Sequence, residues 1–218
     1  MAATIHVQSF TFNDFAENTY LLYDESKQCV IIDPGCSNRN EQKILSSFID
    51  LHQLLPVKLI NTHAHIDHIL GVQYAKLTYT LAFGMHELES PVLAAAEEYS
   101  RLWSINYTPT KCDYFIAEHD TIVFGNNKKL QVLLAPGHSP GSLCFYNADN
   151  EFVIGGDVLF RQSIGRWDLP GGNQATLLKS IKEKLFTLPD TTKVYSGHGT
   201  PTSIGFEKLH NPILLKLN

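Results

Sequence analysis

Apolar and polar positions alternate over the first third of the chain as they do in half-buried β-strands. Alternation over residues 5–10 predicts one strand, and apolar runs at 19–23 and 29–32 predict a hairpin. A turn at 33–35 ends this pattern, and apolar residues at helical spacing then predict a helix over 38–51. The chain therefore begins with antiparallel sheet and changes to helix after the turn.

The rest of the chain alternates between segments with the periodicity of strands and segments with the periodicity of helices. The predicted strands lie at 57–61, 81–83, 121–124, 130–134, 142–146, 152–154 and 193–196. The predicted helices lie at 69–79, 86–103 and 173–186. Neither a linker nor an internal repeat interrupts the pattern, so residues 1–218 are predicted to form a single domain.

The composition argues against several classes of protein. With 44% hydrophobic and 18% charged residues, the chain has the usage of an ordered globular protein. Its 17 Lys and Arg residues are scattered and its net charge is −5, so nucleic acid is not an expected partner. The first residues lack a signal-peptide pattern, and no apolar run approaches the roughly 20 residues of a membrane span. We therefore expect a cytoplasmic protein without a membrane segment.

The four cysteines form no CxxC pair. A domain of this size does not depend on disulfides, so Cys29, Cys36, Cys112 and Cys144 are expected to be reduced structural thiols. Two disulfides are the alternative for an exported protein, although no other feature of the sequence points to export.

Side chains of metal-ligating type crowd together directly after the predicted strand at 57–61. Residues His63, His65, Asp67 and His68 supply three imidazoles and a carboxylate within six positions. These ligands suit zinc, iron and manganese, whereas a thiolate site would show cysteines at such spacings. A solvated loop is the alternative interpretation, and the density of the run disfavours it.

Three later residues extend this cluster. His138, Asp157 and His198 each follow a predicted strand and each stand beside a glycine. Glycine lets a loop bring its neighbour close to an ion, although any one of these glycines alone would equally suit a simple turn. Together with the first cluster, the three residues predict one metal site.

The motifs around these residues resemble those of the metallo-β-lactamase superfamily, and within it the short single-domain hydroxyacylglutathione hydrolases, or glyoxalase II enzymes. Residues 62–68 match the family motif THxHxDH, and 137–141, 156–157 and 197–199 match its three later ligand motifs in order. The resemblance implies an α/β fold of the αββα sandwich type, with two mixed sheets face to face and helices outside. It places the site at one edge of the sandwich.

The resemblance also implies that two divalent metal ions share the ligands. Its ligand sets are His63, His65 and His138 for the first ion, and Asp67, His68 and His198 for the second. Asp157 would bridge both ions, and Asp67 and Asp157 are the candidate catalytic carboxylates. Asp67 is expected to act as a ligand rather than in proton transfer, because metal binding lowers a carboxylate's pKa. Zinc is the favoured metal, with iron and manganese as alternatives.

Such a site would turn a bridging water into hydroxide near neutral pH, and the hydroxide would attack a thioester carbonyl polarised by the metals. The resemblance makes S-D-lactoylglutathione the leading substrate among small-molecule thioesters and esters. One alternative is an iron-dependent persulfide dioxygenase with a single metal, which the His198 motif disfavours. The others are a hydrolase of another ester, a lactam or a phosphodiester, and a non-enzymatic metal-binding module. The oligomeric state is left open.

Residues 158–172 resemble a family segment that contains the pattern SIGRxDxPGG, and they are expected to form a loop beside the site. Arg166, Trp167 and Asp168 are candidate substrate-loop residues, although a local ion pair is the favoured interpretation of Arg166 and Asp168. Trp167 stands where the family often has a small polar residue. This aromatic ring would either reshape the mouth of the pocket or simply pack against the protein.

Two further features bear on the substrate. The residues after His198 are too few for the C-terminal helical domain with which longer glyoxalase II enzymes hold glutathione. The stretch 99–107 contains Tyr99, Arg101, Trp103 and Tyr107, which would either line the pocket or, as the favoured interpretation, lie in the core.

Overall fold

The first half of the chain forms a six-stranded sheet in the structure, a computed structural model that describes residues 4–217. Its strands, in their order across the sheet, are β1 (His6–Phe12), β2 (Glu17–Tyr23), β3 (Gln28–Ile32), β4 (Leu55–Ile60), β5 (Phe83–Met85) and β6 (Tyr114–Phe115). The first three are antiparallel, as the predicted hairpin requires. From β3 onward the strands run parallel, with helices in all three connections.

The second half forms another sheet and a small hairpin. Its strands are β7 (Thr121–Phe124), β8 (Lys128–Leu134), β9 (Leu143–Asn147), β10 (Phe152–Gly156), β11 (Leu159–Phe160), β12 (Ser163–Ile164), β13 (Lys193–Ser196) and β14 (Thr202–Ser203). The sheet has the order β14-β13-β10-β9-β8-β7, and β10 and β13 are its parallel pair. β11 and β12 pair with each other, in a segment that the sequence predicts to be a loop.

Among the described residues, five α-helices lie between strands along the chain, and the sixth follows the last strand. They are α1 (Arg39–Leu51), α2 (Ile66–Ile69), α3 (Val72–Tyr79), α4 (Ser90–Leu102), α5 (Gln174–Ser180) and α6 (Ile204–His210). A 3-10 turn at Glu87–Glu89 precedes α4, and a π-helical turn at Ile181–Leu185 extends α5. Asn38 and Asn173 cap α1 and α5, since each side chain accepts a hydrogen bond from a backbone N–H of the first turn.

Alternation along the strands explains the layers. In β2, Tyr20 and Leu22 pack into the core between the two sheets, whereas Leu21 faces the core beneath the helices. In β10, Ile154 lies in the core between the sheets and Val153 packs towards α5 and α6. The arrangement is helices, sheet, sheet, helices, which confirms the predicted αββα sandwich.

The helix predicted over 69–79 is in fact two helices separated at Leu70 and Gly71. The backbone N–H of Gly71 donates to the carbonyl of Pro34 at 2.7 Å, and a Cβ at this position would overlap with Cys36. This close approach breaks the helix although its apolar periodicity continues. Among residues 4–217, no helix is both long and apolar enough to cross a membrane.

Candidate metal centre

Four strands end at the same edge of the sandwich, and each is followed by predicted ligands. β4 leads into residues 63–68, β8 into His138, β10 into Asp157 and β13 into His198. β8 and β10 are both antiparallel to β9, so they run in the same direction, and β13 is parallel to β10. The carboxyl ends of these strands therefore bring together side chains that are far apart in sequence.

His63, His65 and His138 form the first group of ligand atoms. His138 Nε2 lies 2.8 Å from His65 Nδ1 and 3.2 Å from His63 Nε2, so three imidazole nitrogens point at one position. Burial, reinforced by the neighbouring imidazoles, holds the pKa of His63 well below its usual range and lowers the pKa of His65 to about 3. These two rings are therefore neutral at pH 7, and their lone pairs are available to a cation.

Asp67, His68 and His198 form the second group. His198 Nε2 lies 3.1 Å from Asp67 Oδ2, and His68 Nε2 lies 3.6 Å from the same oxygen. Burial by itself would lower the pKa of His68, but the carboxylates of Asp67 and Asp157 raise it well above its usual range. The pKa of His198 is raised in the same way by its hydrogen bond to Asp67. A divalent cation bound by these rings would replace their protons and balance the charge of the carboxylates.

Asp157 lies between the two groups. Its Oδ1 is 3.4 Å from His68 Nε2, and its Oδ2 is 3.4 Å from His138 Nε2 and 3.5 Å from His198 Nε2. His68 Nε2 and Asp157 Oδ1 are buried without a hydrogen-bond partner, which is costly unless another group satisfies them. The donor set and these two orphaned atoms fit a pair of divalent cations.

Backbone carbonyls orient two of the rings. His138 Nδ1 lies 2.8 Å from the carbonyl oxygen of Arg166, and His198 Nδ1 lies 3.0 Å from that of Phe15. A hydrogen bond at Nδ1 leaves Nε2 free to face the ligand cluster. The turn before β2 and the segment after β12 therefore help to position the ligands.

Sequence reasoning missed two buried carboxylates behind His68. Asp33 Oδ2 lies 3.1 Å from His68 Nδ1, and the Asp33 carboxylate also accepts hydrogen bonds from the backbone and hydroxyl of Thr62 at 2.6 Å. Glu17 lies 3.8 Å from the same ring nitrogen, and complete burial raises its pKa well above the usual range. The signal for Asp33 was present, because it follows β3 just as the ligands follow their strands.

A third missed carboxylate, Glu89, joins two of the ligand loops. One oxygen accepts from the backbone N–H of Ala64 at 2.8 Å, and the other accepts from that of Gly141 at 2.6 Å. Glu89 is fully buried, and both loops supply histidines of the first group. Its position in a polar turn before α4 carried no sequence signal for this role.

Replacing Glu89 with Ala is expected to lower the free energy of unfolding by about 3 kcal/mol, because two buried backbone N–H groups lose their acceptor. The affinity of the first group for metal is expected to fall by roughly tenfold or more, since both histidine loops lose an anchor. Denaturant unfolding and metal competition measure the two effects. The matched control is Glu87→Ala, because Glu87 is exposed on the same turn. Equal stability of the two variants would contradict this role.

The three candidate residues of the substrate loop differ in their surroundings. Arg166 and Asp168 form a two-pronged ion pair with both distances at 3.0 Å, and both side chains are exposed. Trp167 is half-buried and packs against the core between the second sheet and α5. Arg166 also lines the cavity above the ligand cluster.

The stretch 99–107 does not lie in the core as the favoured interpretation had it. Tyr99 is 41% exposed and lines the cavity, whereas Trp103 is 62% exposed and packs beside it at a ring distance of 6.0 Å. Arg101 pairs with Glu97 at the surface. Tyr107 packs partly against the core, together with the neighbouring Ile105.

Known proteins resemble this chain over most of its length. The chain matches the model of the metallo-β-lactamase superfamily over residues 13–198. A probable metallo-hydrolase of Bacillus subtilis, YqgX, is 40% identical over 199 residues, which are 90% of this chain and 92% of the relative. Hydroxyacylglutathione hydrolase GloC of Haemophilus influenzae is 30% identical, with 96% of this chain and 98% of the relative covered.

Two solved structures share the fold over nearly the whole chain. The B3 metallo-β-lactamase BLEG-1 has a TM-score of 0.88 and 36% identity, with 96% of this chain and 99% of that chain covered. TTHA1623, solved in a di-iron-bound form, has a TM-score of 0.84 and 34% identity, with 95% and 100% covered. On the match of the family model and of these relatives, the chain belongs to the metallo-β-lactamase superfamily.

Proposed function

We propose that the chain is a metal-dependent hydrolase that binds two divalent ions and cleaves a thioester, with S-D-lactoylglutathione as the first substrate to test. The family supports the metal-dependent hydrolase. The observation that carries the two-ion site is the position of Asp157, whose carboxylate lies within 3.5 Å of imidazole nitrogens from both ligand groups. The likeness to a hydroxyacylglutathione hydrolase supports the thioester.

In this proposal, some residues of the chain bind the metal ions and others set the positions of the reacting groups. When bound, two divalent ions activate a water molecule and polarise a carbonyl group. The neutral imidazoles of His63 and His65 supply lone pairs, and Asp157 sets the distance between the two groups. Asp67 is 9% exposed, and its Oδ2 lies 3.1 Å from His198 Nε2. Its carboxylate is therefore placed to hold a ligand or a proton at the cavity floor. Addition of water across the C–S bond releases a thiol and a carboxylic acid.

The second ligand group favours this proposal over a dioxygenase with one metal. The ligand atoms of Asp67, His68 and His198 lie within 4.8 Å of one another, which suits a second ion. An enzyme with a single iron needs only one such group. Zinc remains the favoured metal of the proposal, with iron and manganese as alternatives, and the di-iron form of TTHA1623 gives iron specific support.

Metal analysis combined with a substrate panel tests the proposal. We expect two metal ions per chain, hydrolysis of thioesters without oxygen uptake, loss of activity with a chelator and its return on adding zinc, iron or manganese. One iron per chain with persulfide-dependent oxygen uptake would favour the dioxygenase. Two bound ions with no hydrolysis of thioester, ester, lactam or phosphodiester would favour a metal-binding module.

A further inference from the structure

The cavity above the ligand cluster is walled mainly by apolar side chains. Its volume is about 500 Å³, and its floor is made of metal ligands from both groups. The wall residues come from separate parts of the chain: Phe15 from the turn before β2, Val92, Ala95 and Tyr99 from α4, and Phe160 and Leu169 from the segment after Asp157. A concave apolar site of this size that opens directly onto catalytic groups is the usual form of a small-molecule site.

Two aromatic side chains at the mouth of this cavity are partly exposed to solvent. Phe15 is 46% exposed in the turn between β1 and β2, and Tyr99 is 41% exposed on α4. Covering them with an apolar ligand would remove their surface from water, which favours binding. The walls therefore select for an apolar part of the substrate.

The charged side chains at the cavity also favour an apolar ligand. Among the described residues that line it, Arg166 is the one charged side chain apart from the predicted metal ligands. Its guanidinium already donates two hydrogen bonds to the Asp168 carboxylate, at 3.0 Å each. The carboxylates of a glutathione moiety would have to share this exposed cation with Asp168, which already accepts from two of its nitrogens.

On the basis of the proposed thioesterase activity, we infer that the cavity recognises a thioester bearing an apolar chain or ring, and that such thioesters are better substrates than S-D-lactoylglutathione. The apolar group packs between α4, the Phe15 turn and the segment that carries Phe160 and Leu169. The scissile carbonyl then lies above the ligand cluster at the cavity floor.

A substrate series tests this recognition. We expect kcat/KM to rise about a hundredfold from the acetyl to the hexanoyl thioester of N-acetylcysteamine, since the acyl chain gains four methylenes and each one buried contributes a factor of roughly three to four. Acetyl thioesters of alkyl thiols test the other side of the scissile bond. A rise in either series, with the best member exceeding S-D-lactoylglutathione, supports the inference. Flat dependence in both series, or S-D-lactoylglutathione as the best substrate, would overturn it.

Adjacent alanines on α4 provide a matched pair of variants. Ala94 and Ala95 are both exposed, but Ala95 lines the cavity while Ala94 faces a separate surface groove. Ala95→Lys is expected to lower kcat/KM for the hexanoyl thioester by about tenfold and to raise the relative rate with S-D-lactoylglutathione. Ala94→Lys should leave both rates unchanged. The same rates for Ala95→Lys and Ala94→Lys would count against the apolar wall.

Binding of an uncleavable analogue separates this inference from the proposed activity. The S-hexyl thioether of N-acetylcysteamine is titrated by calorimetry into the metal-loaded wild type and both variants. Binding that Ala95→Lys weakens and Ala94→Lys does not would support the apolar site even if no thioester were hydrolysed, in which case only the proposed function fails. Thioester hydrolysis without binding of the thioether would overturn the apolar site and leave the proposed function standing.

Discussion

Replacing Asp157 with Ala is expected to abolish thioester hydrolysis and tight binding of the metal pair. The side chain is 8% exposed, and its two oxygens lie 3.4 Å from His68 Nε2 and from His138 Nε2. Burial alone would raise the pKa of Asp157, but the neighbouring His68 and His138 lower it below its usual value, so the group is a carboxylate at neutral pH. Its loss removes the one carboxylate that faces both ligand groups.

We expect kcat/KM to fall by a factor on the order of 10³ or more, because removing a metal ligand should exceed the 10–100-fold effects of groups that only support ligands. Metal content measured by mass spectrometry should fall from two ions per chain to one or fewer. Asp149→Ala is the matched control, since Asp149 is an exposed carboxylate in the turn between β9 and β10. Retained thioesterase activity in Asp157→Ala would rule out the assignment.

The second large effect is expected at Gly197, next to His198. A Cβ at this position would overlap with Asp157 Oδ1 and lie 2.8 Å from His68 Cε1. Both neighbours are buried and neither can turn into solvent, so Gly197→Ala must displace the carboxylate or the ring. We expect kcat/KM to fall about a hundredfold, with a loss of affinity at the second ligand group of roughly tenfold or more.

Gly199, on the other side of His198, is the control for this variant. A Cβ there has no atom within 4 Å, although its φ of +72° is one that side chains rarely adopt. Gly199→Ala is therefore expected to cost about 1 kcal/mol of stability from backbone strain, with metal content and kcat/KM unchanged. If Gly197→Ala and Gly199→Ala have the same metal affinity and activity, the close packing around Asp157 is not required.

Much of the fold follows from patterns that are local in sequence. Alternation predicted β1, apolar runs predicted β2 and β3, and helical spacing predicted α1. The first cluster of predicted metal ligands could be recognised for the same reason, since His63 and His68 are only five positions apart. Elements of two residues, such as β6 and β14, carry too short a pattern to be found. Long-range pairing defines them instead.

By itself, the sequence determined the seven candidate ligands, because metal ligands must be of a few residue types and their loops must follow strands that periodicity reveals. Only the tertiary structure decided what surrounds them. Asp33 acts on a loop 29 positions later in the chain and Glu89 on one 25 positions earlier, and sequence periodicity does not detect contacts over such distances. Helical spacing likewise places Val92 and Tyr99 on one side of α4, but it does not say whether that side meets core or cavity. Packing of the other elements settles that question, since it is their arrangement that leaves this face of α4 open above the metal ligands.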